Sequence, residues 1–175
     1  MKPINNYDKV QASGEFERLA PGGYVIKIQG VADDAAKEYL RVVFDIAEGP
    51  EKGRYANEDA EHEFRHSFIR SYKEKALGMF KAFTNALEAS NPGYKWDWNE
   101  KALAGKVLGL VIGYEEYEAN DGNIKERMRI ASCTSADRIR QGNFKVPELK
   151  KLATSSKPAA PVSGFSPLSD EDLPF

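Results

Sequence analysis

The sequence predicts a mainly β protein, a β-barrel carrying one major helix, followed by a disordered C-terminal tail. Three observations predict it: short alternating apolar and polar runs bounded by turn residues, a single helical apolar stripe after the third run, and a Pro/Ala/Ser-rich stretch near the end. A chain of 175 residues suits one domain with a real core plus a tail. At 41% hydrophobic and 30% charged residues the composition is that of a soluble globular protein. No run of about 18 apolar residues is present to span a bilayer. Met1 to Asn6 lacks the basic-then-apolar order of a secretory signal, so the expectation is a cytoplasmic protein without a membrane partner. The single cysteine, Cys133, cannot form an internal disulfide or a thiolate metal site by itself and reads as a small core residue.

After an irregular lead-in, Pro21-Gly22-Gly23 marks a turn, and Tyr24 to Gln29 alternates as a first strand. Tyr39 to Ala47 gives a second, with Leu40, Val42, Phe44 and Ile46 on one face and Tyr39, Arg41, Val43 and Asp45 on the other. Gly49 to Gly53 is a turn region, and Phe64 to Ile69 supplies a third strand. Ser71 and Glu74 have the spacing of a capping box, which starts a helix there. Ala76, Leu77, Met79, Phe80, Phe83, Ala86 and Leu87 then form one apolar stripe at helical intervals, ending near Asn91-Pro92-Gly93. Lys106 to Tyr117 and Ile124 to Thr134 read as an antiparallel pair across Asn120-Asp121-Gly122-Asn123, where Asp-Gly signals a hairpin. Regular patterns fade after about residue 141, and Ser155 to Pro161 is linker material.

The order β-β-β-α-β-β matches the OB-fold, a five-stranded Greek-key barrel often used for oligonucleotides. The domain boundaries that follow are 1–145 for a nucleic-acid-binding OB-fold, 146–164 for a flexible linker and 165–175 for an acidic partner-recruiting tail.

Asp170, Glu171 and Asp172 are followed by Leu173, Pro174 and a terminal Phe175. This ending resembles the C-terminal tip of bacterial single-stranded DNA-binding proteins, as does the layout of domain, linker and tip. The chemistry suits docking. Phe175 offers a ring to an apolar pocket, its carboxylate can pair with an arginine, and Pro174 limits the freedom lost on binding. The resemblance implies helicase, primase, nuclease or recombinase partners, and acids that compete with DNA for a basic groove. More loosely, Ala20-Pro21-Gly22-Gly23-Tyr24 and Leu103-Ala104-Gly105-Lys106-Val107 resemble replication or recombination proteins of phages of Gram-positive bacteria. The body departs from cellular single-stranded DNA-binding proteins in length, so their tetrameric assembly is not implied, although a homo-oligomer is compatible with the sequence.

The net charge of −2 is not an obstacle to this reading. All 25 Lys and Arg precede Ser163, and without the three tail acids the 27 Asp and Glu fall to 24, so the body is about neutral. Binding single strands without sequence preference needs cations for phosphates and aromatic faces for bases. Lys125, Arg127 and Arg129 alternate along the last strand and should share one face. Tyr39 and Arg41 lie on the wet face of the second strand, Arg54 and Tyr55 in the loop after it, Arg65 and Arg70 about the third strand, and Trp96 and Trp98 in the loop after the helix. These eleven residues are the expected DNA contacts, with quenching of Trp96 or Trp98 as their signature.

His62-Glu63-Phe64-Arg65-His66 fits the zinc-protease pattern His-Glu-x-x-His. If the helix begins near Ser71, both histidines fall on an extended strand roughly 13 Å apart, too far to share one ion. No third ligand is evident, and no Gly-rich phosphate loop or calcium loop is present. The expectation is no enzyme, no metal and no cofactor. The leading function is sequence-nonspecific single-stranded DNA binding in replication, recombination or repair in a bacterial host. The rival is an adaptor that uses the same tail without binding DNA, and a zinc metalloprotease through His62-Glu63-Phe64-Arg65-His66 is a remote alternative.

Overall fold

A computed structural model describes Lys2, Pro3, Asn5, Tyr7 and residues 17–153. The expected linker from residue 154 onward and the acidic end, Asp170 to Phe175, lie outside the described residues. Five strands, β1 (Gly22–Asp34), β2 (Tyr39–Ile46), β3 (Ser67–Ser71), β4 (Val107–Glu118) and β5 (Ile124–Thr134), form one antiparallel sheet in the order β3-β2-β1-β4-β5. Helix α1 (Leu77–Ser90) separates β3 from β4, and a short α2 (Ala136–Arg140) follows β5. The protein is therefore mainly β with one major helix. Its sheet is open rather than fully closed, because β3 and β5 are edges with no ladder between them among the described residues.

Alternation decides which side of the sheet is core. Leu40, Val42, Phe44 and Ile46 of β2 are buried, as are Ile26 and Ile28 of β1 and Leu108, Leu110 and Ile112 of β4. Each such side chain contributes about 1.5–3 kcal/mol by leaving water. β1 is longer than its alternating run because a register shift between Ile28 and Gly30 lets it bend, pairing with β4 through Gly22 to Lys27 and with β2 through Ile26 to Asp34. Helix α1 packs against β3, β4 and β5, setting Phe80, Phe83, Ala86 and Leu87 into the core while Leu77 and Met79 of the same stripe stay exposed. Asn91 fastens the end of the helix to β4: its amide nitrogen donates to the carbonyls of Leu87 and Val107, and its oxygen accepts from Val107 N.

Three local expectations need correction. The capping box does not form. Ser71 ends β3 and its hydroxyl accepts from Lys73 N, a 3₁₀ turn covers Glu74–Ala76, and α1 starts at Leu77 without a side-chain cap. Ala60–His66 is a 3₁₀ helix rather than strand, started by Asp59, whose side chain accepts from His62 N, so β3 begins only at Ser67. And the chain after β5 does not simply fade. Ser135 caps α2, and the following residues run back over the sheet. A side-chain carbon on Gly109 would lie 2.6 Å from Ile139, and one on Gly23 2.5 Å from Phe144, so the two glycines permit that approach. β4 pairs with β1 only as far as Ile112, and its free length is taken by Lys150, which donates to Tyr114 O and accepts from Glu116 N.

Candidate nucleic-acid interface

The two sheet edges do not pair, and between them lie two adjoining hollows of about 430 and 540 Å³ that share Phe64, Ser67, Arg127 and Met128. The first is lined by three arginines from three strands, Arg41 of β2, Arg70 of β3 and Arg127 of β5, together with Phe64, Phe68 and Ile69, and by no carboxylate. The second adds Arg18, Arg65, Tyr114 and Tyr117, with Glu126 its one acid. Period-two geometry brings Arg41 here: it faces Ile69 across the β2–β3 ladder, on the side away from the core. The 3₁₀ helix delivers Phe64, whose ring is 66% exposed and has the Arg65 guanidinium 5.7 Å from its centre.

The surface cations already have partners, but exchangeable ones. Arg41 pairs with Glu63 at 3.3 Å and Arg127 with Glu115 at 2.8 Å, and Arg127 also lies 5.1 Å from the Tyr117 ring centre. Exposed pairs of this kind are worth about 0–1 kcal/mol, little enough for a phosphate to replace them. Arg65 pairs with Glu58 in a less exposed position, and Arg18 with Glu126.

Arg70 differs from these. It is 6% exposed, with Nη2 donating to Cys133 Sγ at 3.0 Å, Nη1 to the Ile69 carbonyl, and the guanidinium 4.9 Å over the Phe68 ring. The Cys133 contact bridges β3 to β5. Burial pushes the Cys133 thiol up from its ordinary value, and Arg70 pulls the other way. Nε of Arg70 is buried without an acceptor, and no carboxylate pairs with this side chain among the described residues. A buried cation with no paired carboxylate is costly to the fold.

No protein-family model matches the chain, and no curated protein matches it.

Of the eleven expected contacts, Arg41, Arg65, Arg70 and Arg127 thus come together. Lys125, Arg127 and Arg129 share a face as their spacing requires, opposite Tyr117, Glu115 and Gly113 of β4. Lys125 is paired with Asp121. Tyr39 lies beside Arg41 on β2, opposite Ser71. Arg54 points elsewhere, to Glu51 and the Glu17 carbonyl. Tyr55 lines the second hollow but is 3% exposed, its ring stacked 4.7 Å from the His66 ring, so no face is open for a base. Trp96 and Trp98 line a separate pocket with Tyr72 and Phe80. Phe64, which the sequence did not single out, also lines both hollows, and its exposure arises from the 3₁₀ helix and not from an alternating run.

That helix also separates the two histidines. At three residues per turn, positions four apart point about 120° from each other. His62 bonds Asp59 at the surface at 2.5 Å, whereas His66 is buried and bonds the Phe44 carbonyl at 2.7 Å. No group of three or more His, Cys, Asp and Glu side chains able to hold a metal occurs among the described residues.

Proposed function

We propose that this chain binds single-stranded DNA without sequence preference, in phage or bacterial replication, recombination or repair in a host cytoplasm, and recruits partner enzymes through Asp170, Glu171, Asp172, Leu173, Pro174 and Phe175. The reading involves no catalysis, metal or cofactor. The observation that carries it is the hollow lined by Arg41, Arg70, Arg127 and the exposed Phe64, with no carboxylate in its lining. Cations gathered in one hollow suit a phosphate backbone, and an exposed aromatic ring can stack any base for about 1–3 kcal/mol.

The strand order supports an OB-type barrel as the scaffold. In β3-β2-β1-β4-β5 the two ends would close the barrel by meeting each other, and the Arg70–Cys133 contact already links them. In such barrels the faces of the second and third strands and the loop between the fourth and fifth bind oligonucleotides. On this reading, Arg41 and Ile69 fall on those strand faces and residues 119–123 form that loop.

Anisotropy of a labelled dT oligonucleotide, titrated with full-length protein at increasing salt, tests the proposal. Binding should be salt-sensitive, and Arg41→Ala or Arg127→Ala should each reduce the log–log salt slope by about 0.7. Absence of binding at low salt would overturn it and favour the adaptor. Deleting residues 170–175 should preserve or strengthen DNA affinity and abolish partner binding, whereas loss of DNA affinity would contradict this division of labour.

A further inference from the structure

The pocket holding the two tryptophans has the opposite charge from the groove. It occupies about 260 Å³ and is walled by Tyr72, Leu77, Phe80, Trp96 and Trp98, and its only charged lining residues are Asp33 of β1 and Glu100, at the start of a 3₁₀ turn. Its rings approach edge-on or tilted, Tyr72 to Phe80, Phe80 to Trp96 and Trp96 to Trp98, each pair with centres 6.0 Å apart. The Tyr72 hydroxyl donates to Asp33 Oδ1 at 2.9 Å. Its pKa is raised first by that bond, then by burial and by the Asp33 charge, with Glu38 and Asp34 adding to it.

Trp98 combines two unfavourable features. Its backbone is in the left-handed region at φ 65°, unusual for a bulky residue, and its side chain is 80% exposed. Local strain that presents a large apolar ring to solvent is characteristic of binding positions. Leu77, which also lines the pocket, is exposed as well.

We propose that this pocket docks a segment of a partner protein, receiving an arginine or lysine side chain among Tyr72, Phe80, Trp96 and Trp98 with Asp33 and Glu100 as its counter-charges. Aromatic faces attract organic cations, and the aliphatic stem of such a side chain covers apolar walls such as Leu77. Charge complementarity selects this occupant. A phosphate backbone meets two carboxylates and no cation, and the chain's own acidic end meets the same repulsion. The inference stands on this pocket alone and holds whether or not the arginine groove binds DNA.

The protein contains two tryptophans, both in this pocket, so its indole emission reports on the pocket specifically. The probe is a capped hexapeptide alternating arginine and leucine, added to full-length protein, with its citrulline counterpart as an uncharged control of equal shape. The arginine peptide should shift the emission saturably, the citrulline peptide should bind at least tenfold more weakly, and Glu100→Gln should weaken the arginine peptide several-fold. Trp98→Ala, a change at an exposed side chain, should abolish the response while the thermal melt stays cooperative. A dT oligonucleotide should leave the emission unchanged even where anisotropy registers binding. Equal binding of the two peptides, no response to the arginine peptide at millimolar concentration, or quenching by dT that competes with the peptide would each overturn the proposal.

Discussion

Replacing Arg70 by methionine should stabilise the protein and weaken the proposed binding of DNA, and both effects can be sized from the surroundings of the side chain. The guanidinium is 6% exposed, lacks a carboxylate partner among the described residues, and leaves Nε without an acceptor. A buried unsatisfied donor costs about 1–3 kcal/mol. Against that stands the loss of the contact with the Phe68 ring, worth about 0.5–2 kcal/mol, and of hydrogen bonds to a thiol and to the carbonyl of Ile69. Methionine fills similar space without a charge, and replacing even paired buried ions by apolar residues of like volume is often neutral or stabilising by about 1–4 kcal/mol. The expected balance is a gain of about 1–2 kcal/mol, or roughly 2–8 °C in melting temperature at this chain length. Removal of a charge-assisted bond to phosphate should cost about 1.5–3 kcal/mol of binding, roughly 10- to 150-fold in affinity. The salt slope should fall by about 0.7. Calorimetry and anisotropy across a salt series measure the two halves. A destabilised variant with an unchanged salt slope would refute the reasoning, since Arg70 would then be a structural clamp.

Phe64→Ala should reduce dT affinity by about 1–3 kcal/mol while leaving the unfolding free energy in urea within about 0.5 kcal/mol of wild type, because Phe64 is 66% exposed. Gly109→Ala should destabilise by about 1–3 kcal/mol in urea denaturation, since the added carbon would meet Ile139 at 2.6 Å and the Ser135 carbonyl at 2.8 Å. The same change at Gly30, with nothing within 4 Å, should be mild. Burial is the first cause of raised values at Tyr55, Tyr114 and Cys133, so the folded state holds those protons more tightly than the unfolded chain. Their contribution is complete below the unfolded values, and urea midpoints should decline as pH rises above about 9. A midpoint that is flat to about pH 11 would contradict this.

Where one face of a strand is core, the sequence carried most of the answer. β2 and β5 have the bounds that alternation and the Asp-Gly turn predict, within a residue, because period-two burial leaves a direct trace in residue order. The 3₁₀ helix Ala60–His66 left no such trace. It buries only His66, and a short polar turn has no periodicity to read. The segment after β5 was hidden for a related reason: it is held by the absence of side chains at Gly23 and Gly109 on distant strands, which no local window reveals. The candidate site divides in the same way. Strand parity put Arg41 and Arg127 on wet faces, but only the fold shows that β2, β3 and β5 converge there, and that Trp96 and Trp98 lie with Asp33 and Glu100 instead.

An edge strand of eleven residues has a further consequence. β5 satisfies one side of its backbone against β4 and presents a row of donors and acceptors on the other. Such a row invites a second copy to lengthen the sheet. An antiparallel copy centred on Arg127 would set that arginine against itself and Lys125 against Arg129, so like charges would face each other along the seam. The alternation of Lys125, Arg127 and Arg129 along β5 would thus oppose the edge-to-edge joining of two copies.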